Sequence, residues 1–182
     1  MKPPAAHVPE LLTPRLRLRG FRAEDAEAFH AAYGDAEAMR HWNHPPMSDR
    51  AATARMIGRW ARPTPWSWMV WAIADRGDDR CIGMVNYHHG SQGNRHLEIG
   101  YILAPSAWGQ GYAAEAVGTL VGHLHEQLSA HRIEAMIEPD NLRSVRLVER
   151  LGFVCEAPLL RDRMRVNGAW RSAALYAHFA DT

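Results

Sequence analysis

Two cysteines in 182 residues leave little room for a disulfide framework. Cys81 and Cys155 each stand inside a strand-like run, which reads as a pair of buried thiols in a reducing compartment. Charge of one sign is scarce too: 21 basic against 20 acidic side chains give +1, so bulk electrostatics makes no case for nucleic-acid binding. Long apolar runs are missing. The longest, Trp66 to Ala74, is broken by Ser67 and falls far short of a bilayer span, and the opening Met1-Lys2-Pro3-Pro4-Ala5-Ala6-His7 lacks the apolar core of a signal peptide. These absences predict a cytoplasmic protein with neither nucleic acid nor membrane among its partners. Repeats, low-complexity tracts and Gly/Ser linkers are absent as well. The chain therefore reads as one domain over residues 1–182, with 1–10 a loose N-terminal segment.

Eleven histidines are present, and their spacing predicts no metal. His123 and His125 are two apart on a helix and point to different faces. His88 and His89 are adjacent on a strand, which places them on opposite faces. His41 and His44 have usable spacing but sit beside Pro45 and Pro46, with no Cys or carboxylate set close in sequence.

Leu16, Leu18 and Phe21 alternate with arginines as a half-exposed strand. Ala26, Phe29, His30 and Tyr33 follow helical spacing behind an acidic first turn at Glu24 and Asp25. Met39 to Met47 is irregular, and Ser48 or Asp49 suits the cap of a second helix running to about Trp60. Trp68 to Ala74, Cys81 to His88 and His96 to Leu103 predict an antiparallel meander. A helix follows, with Ala113, Val117, Leu120, Val121, Leu124 and Leu128 as its apolar stripe. Arg132 to Ile137 is another strand, and Ser144 to Leu151 is a short helix stopped by Gly152. Asn167-Gly168 then joins Phe153 to Val166 and Trp170 to Phe179 as a hairpin. The order β-α-α-β-β-β-α-β-α-β-β describes an α/β fold, a mixed sheet of about seven strands with about four helices. The crossover in its middle makes its two flanking strands parallel neighbours.

Between strand and long helix lies Trp108-Gly109-Gln110-Gly111-Tyr112-Ala113-Ala114-Glu115. Two glycines bracket one residue at a helix start, where free backbone N–H groups and the helix dipole favour a phosphate. Lys and Ser/Thr of a Walker loop are missing, and Ala114 stands at the third glycine of a dinucleotide fingerprint. An anion held by amides without magnesium fits this loop; so does a plain glycine-relieved turn.

The ordered set Glu98-Ile99-Gly100-Tyr101, Trp108 to Ala113, and Asn141-x-x-Ser144 with Leu151-Gly152-Phe153 resembles the GNAT N-acetyltransferases, especially their RimJ/RimL-like, ribosomal-protein-alanine branch. The resemblance runs from Thr13-Pro14-Arg15 to the last hairpin, and Trp108 in place of the superfamily's Gln or Arg is usual in that branch. It implies acetyl-CoA as co-substrate without a metal, its pyrophosphate on the amides of Gly109, Gln110, Gly111, Tyr112, Ala113 and Ala114. It also implies that the strand before the loop bulges and splays from its parallel neighbour, so that pantetheine would lie in the gap and bond to backbone near Ile102 and Leu103. Asn141 would reach the pantetheine or the acetyl end; Asn141 also suits a helix cap. Glu98 would take the proton of the attacking amine, directly or through water, the alternative being an exposed strand carboxylate paired with Arg95. Ser144 would stabilise the departing thiolate, or merely close a helix start. Trp42 lies where similar enzymes fold over the acceptor. Trp66, Trp68 and Trp71 line either a cleft or the core. Arg171-Ser172 stands where the family commonly has an acidic residue. The expected activity is direct acetyl transfer to a primary amine of a protein, a peptide or a small molecule. A non-catalytic acyl-CoA-binding module, or transfer of a longer acyl group through a pocket near Trp68 and Met84, are the alternatives. Similar proteins are commonly homodimers.

Overall fold

The computed structural model describes residues 7–64 and 66–180. Eight strands form one sheet in the order β1-β2-β3-β4-β5-β6-β8-β7. In chain order the elements are β1 (Leu11–Leu12), β2 (Leu16–Arg19), α1 (Asp25–Tyr33), α2 (Arg50–Trp60), β3 (Met69–Asp75), β4 (Cys81–Ser91) and β5 (His96–Leu103). A 3-10 turn over Pro105–Ala107 leads into α3 (Tyr112–Leu128), followed by β6 (Arg132–Ile137), α4 (Leu142–Arg150), β7 (Val154–Val166) and β8 (Ala169–Phe179). The order matches that read from the sequence apart from the two-residue β1, whose pairing with β2 is too short to leave a periodic signal.

The turn chemistry does what the residue types dictate. Asp49 Oδ1 accepts from the Ala52 N–H at 2.7 Å and caps α2. Asn167 and Gly168 both take positive φ, 51° and 82°, as a two-residue hairpin loop requires. Gly152, at φ 88°, ends α4 while the Phe153 N–H reaches back to the Val148 carbonyl.

Side-chain alternation along the central strands builds a core on each face of the sheet. On one face α3 packs Val117, Leu120, Val121 and Leu124 against Trp71, Val85, Leu97 and Ile133. On the other, α1 and α2 bring Phe29, Tyr33 and Ile57 over Val70, Ala72, Met84 and Ile102. Trp66 and Trp71 are buried in the first cluster, and Trp68 packs against the second from a half-buried position. Part of the expected loose N-terminal segment, residues 1–6, lies outside the described residues. Within the rest, Val8 packs on the core and the Pro9 carbonyl accepts a 2.8 Å bond from the Trp71 indole.

Cysteine burial divides where the sequence suggested a matched pair. Cys81 is buried, and burial pushes its thiol up to about 12, whereas Cys155 is exposed because β7 is the sheet's open edge. Among the described residues no helix is long and apolar enough to cross a membrane.

Candidate active site

The crossover through α3 makes β5 and β6 parallel, but they pair over three rungs only, His96 with Arg132, Leu97 with Ile133 and Glu98 with Glu134. Beyond Glu98 the strands part. β5 continues to Leu103 along β4, and β6 to Ile137 along β8. A wedge-shaped gap is left, with unpaired backbone on its β5 wall. Strand alternation settles which residues present it. The Ala104 N–H bonds the Ile82 carbonyl at 2.9 Å, so even-numbered backbone groups turn to β4 and odd-numbered ones to the gap. Ile102 therefore faces β4, against the expectation that its backbone meets pantetheine; Ile99, Tyr101 and Leu103 face the gap. The Leu103 carbonyl already accepts from the Trp108 indole at 2.9 Å.

The glycine loop closes the open end of this gap. Gly109 and Gly111 sit at φ 74° and 80°, in the left-handed region where other residues are strained, and Gly111 is the N-cap of α3. No side chain caps this helix, so the N–H groups of Tyr112, Ala113 and Ala114 point outward without an intrahelical acceptor. Arg15 braces the loop from the turn just before β2. Its Nη1 donates to the Gln110 carbonyl at 2.8 Å, its Nε to Glu115 at 2.7 Å, and its guanidinium lies 4.6 Å from the Tyr112 ring centroid. Thr13 also donates to Glu115. From α4, Arg143 stacks over the Trp108 ring at 4.5 Å and adds a cation beside the loop. The brace escaped the sequence reading, although Thr13-Pro14-Arg15 is part of the motif set; nothing in one strand announces a partner 100 residues away.

Glu98 stands at the last rung before the strands part. Its side chain shares one sheet face with Gly100 and Ile102 on β5 and with Met84, Asn86 and His88 on β4. Arg95 turns elsewhere, donating to the Ser129 carbonyl. Instead Glu98 binds two imidazoles, His88 Nε2 at 3.2 Å and His89 Nδ1 at 3.2 Å. Opposite faces were expected for this His pair. A β-bulge overturns that: His88 opposes Glu98 and Ser91 opposes His96, so His89 and Gly90 together face Leu97, and His89 turns left-handed at φ 50°. Gly90 fixes the bulge, since a Cβ there would meet the Trp66 carbonyl. Burial raises the Glu98 pKa, but the hydrogen bonds and charge of His88 and His89 outweigh it and hold the carboxyl below its ordinary value.

Above this face lies Trp42. A Cβ on Gly100 would lie 2.7 Å from Asn86 Oδ1 and 3.6 Å from both His88 and the Trp42 ring, so glycine keeps open the space in which they converge. Trp42 packs edge-on against Tyr33, with ring centroids 5.9 Å apart. Its loop is clasped to the sheet. His41 Nδ1 lies 2.9 Å from Glu138 Oε2, Arg171 donates to Glu138 Oε1 at 2.8 Å, and the same guanidinium group donates to the Arg40 carbonyl at 2.8 Å. The carboxylate that His41 lacks in sequence thus arrives from 97 residues away. Arg171, at the position where the resemblance expects an acid, closes this clasp.

Asn141 Oδ1 accepts from the Ser144 N–H at 3.3 Å, so its helix-cap role is present in the structure. Ser144 sits across the gap from Tyr101, whose hydroxyl donates to the Ser144 carbonyl at 3.4 Å. Burial pushes that phenol up to about 12, which keeps its proton in place at neutral pH. In the sequence Tyr101 stands out only as part of a motif.

A parallel pair that splays beside a glycine loop and helix start, with a carboxylate at the point of parting, is the arrangement that the resemblance to CoA-dependent acyltransferases implies. The chain belongs to the GNAT acetyltransferase family: the acetyltransferase (GNAT) domain matches residues 15–154. An uncharacterized N-acetyltransferase, p20 of Bacillus licheniformis, is 33% identical over 87% of this chain and 89% of its own. The [ribosomal protein uS5]-alanine N-acetyltransferase of Escherichia coli is 30% identical over 58% of this chain and 54% of its own. Among solved structures, spermidine N-acetyltransferase from Vibrio cholerae, in complex with CoA and spermine, superposes with a TM-score of 0.78 at 20% identity, covering 92% of this chain and 96% of that one.

Proposed function

We infer that this enzyme transfers an acetyl group from acetyl-CoA to a primary amine by direct attack within a ternary complex. The observation that carries the reading is the parting of β5 from β6 at Glu98, which sets a carboxylate beside a gap lined with unpaired backbone. Pantetheine lies in that gap along the odd-numbered backbone of β5, at Ile99, Tyr101 and Leu103, as an added strand would. The amides of residues 109–114 hold the pyrophosphate, and Arg15 and Arg143 supply nearby positive charge.

A free alkylamine is mostly protonated at neutral pH, so attack needs a proton acceptor. Glu98, ionised throughout that range, fills this role through a bridging water. The nitrogen lone pair attacks the thioester carbon, the C–S bond breaks with its electrons on sulfur, and the thiolate, stabilised by hydrogen bonding from Ser144 or Tyr101, takes its proton from solvent water. The names of two similar proteins, one for alanine of ribosomal protein uS5 and one for spermidine, support an amine acceptor and leave its size open.

Direct transfer is tested by intact mass. Enzyme held with acetyl-CoA and no amine keeps its mass under this account. A stoichiometric acetyl adduct that an amine then discharges overturns it in favour of an acyl-enzyme.

A further inference from the structure

We propose that His88, His89 and Glu98 form a binding site for one borderline divalent cation, zinc foremost, whose occupancy takes the carboxylate out of use as a base. The metal site itself does not rest on the transferase reading; only its inhibitory consequence does.

Two imidazoles and a carboxylate are the donor set that zinc, cobalt and nickel prefer over magnesium or calcium. The ligand atoms of all three residues lie within 4.8 Å of one another. Each histidine nitrogen is 3.2 Å from a Glu98 oxygen. A tetrahedral zinc with bonds of about 2.0–2.2 Å separates its ligands by about 3.3–3.5 Å, so the side chains already stand near coordination spacing. Both side chains that hydrogen-bond the carboxylate are imidazoles, and among the described residues no arginine pairs with it. His89 is 75% exposed and His88 30%, which leaves solvent a fourth position and the ion a path in.

The backbone arranges this at a cost. Ordinary alternation would send adjacent histidines to opposite faces; the Gly90 bulge and the left-handed His89 bring both onto one carboxylate. Behind the ligands, His88 Nδ1 and Asn86 Oδ1 are buried without hydrogen-bond partners, and both belong to the group of side chains around Gly100. A histidine that ligates through Nε2 carries its proton on Nδ1 and needs an outer acceptor there. Asn86 Oδ1 is an acceptor in want of a donor, beside the same glycine.

The test uses the untagged full-length protein, Zn2+ by calorimetry and Co2+ by its visible absorption. One equivalent is expected to bind, with the intense cobalt bands of a tetrahedral site. His88→Ala and His89→Ala should each weaken zinc at least tenfold, and Asn86→Leu by about 10- to 100-fold, as outer-shell partners do. His41→Ala should leave zinc affinity unchanged, although His41, Glu138 and Asp140 also cluster. Absence of binding, equal binding in His88→Ala and His89→Ala, or loss confined to His41→Ala would each overturn the proposal. Melting curves of each variant, compared without metal, separate lost ligation from lost fold.

Discussion

Glu98 is a carboxylate held ionised by its neighbours, and its chemistry follows from that. Replacing it by glutamine keeps the shape and removes the proposed proton acceptor. We expect Glu98→Gln to lower kcat by about 10²-fold, in the range of a general base, with CoA affinity within twofold of wild type. An unchanged rate across pH would remove Glu98 from the mechanism. Gly100 is the companion position. A methyl group there must displace Asn86 and approach both His88 and Trp42, so Gly100→Ala should raise the acceptor KM about tenfold, some 1.4 kcal/mol, while CoA binding is untouched. Glu98 stands out in the sequence as a candidate because a motif and a chemical need converge on it. His88 and His89 do not, because the bulge that joins them depends on a glycine meeting a carbonyl 24 residues earlier in the chain, which alternation alone cannot foresee.

At the scale of elements, two braces shape the site. The first ties the turn between β1 and β2 to the glycine loop and α3 through Arg15, Thr13 and Glu115. Arg15→Ala releases the Gln110 carbonyl and should weaken CoA about tenfold by calorimetry, the loss expected when a preorganised anion loop is loosened. The same brace has a pH signature. Burial raises the Glu115 pKa, but Thr13, the Arg15 N–H and its guanidinium outweigh burial and depress it below the ordinary 4.5. Its stabilisation is therefore present above that value and is lost as pH falls through the lower folded one. Melting temperature below about pH 4.5 should fall more steeply for wild type than for Glu115→Gln; parallel curves would contradict this. The second brace is the clasp of Glu138 on His41 and Arg171. Arg171→Ala should raise acceptor KM several-fold while sparing kcat and CoA affinity, since it frees only the loop bearing Trp42. Both braces join segments far apart in sequence. Their polar residues carry no period, whereas α3 and the last hairpin announced themselves through an apolar stripe and Asn167-Gly168.

Over the whole molecule, the sheet is continuous except where function needs it open. The sequence order of elements predicted parallel neighbours in the middle, and they are parallel, but only a three-dimensional account shows that they separate after three rungs. The interior of each strand was readable because burial imposes alternation. The gap followed only from the family resemblance, because missing pairs leave no pattern of their own. CoA filling it should stabilise the native state: at 100 times Kd the gain is about 2.7 kcal/mol, or roughly 5–10 °C in Tm for a chain of this length. Binding alone, however, would equally suit a module that holds acyl-CoA without reacting. The most direct test is thiol release from acetyl-CoA against a panel of peptide N-termini, polyamines and small primary amines, with each product weighed. The account predicts at least one amine that gains an acetyl group at a rate above hydrolysis, with release lost in Glu98→Gln. Tight CoA binding with no acceptor exceeding hydrolysis across the panel would contradict it.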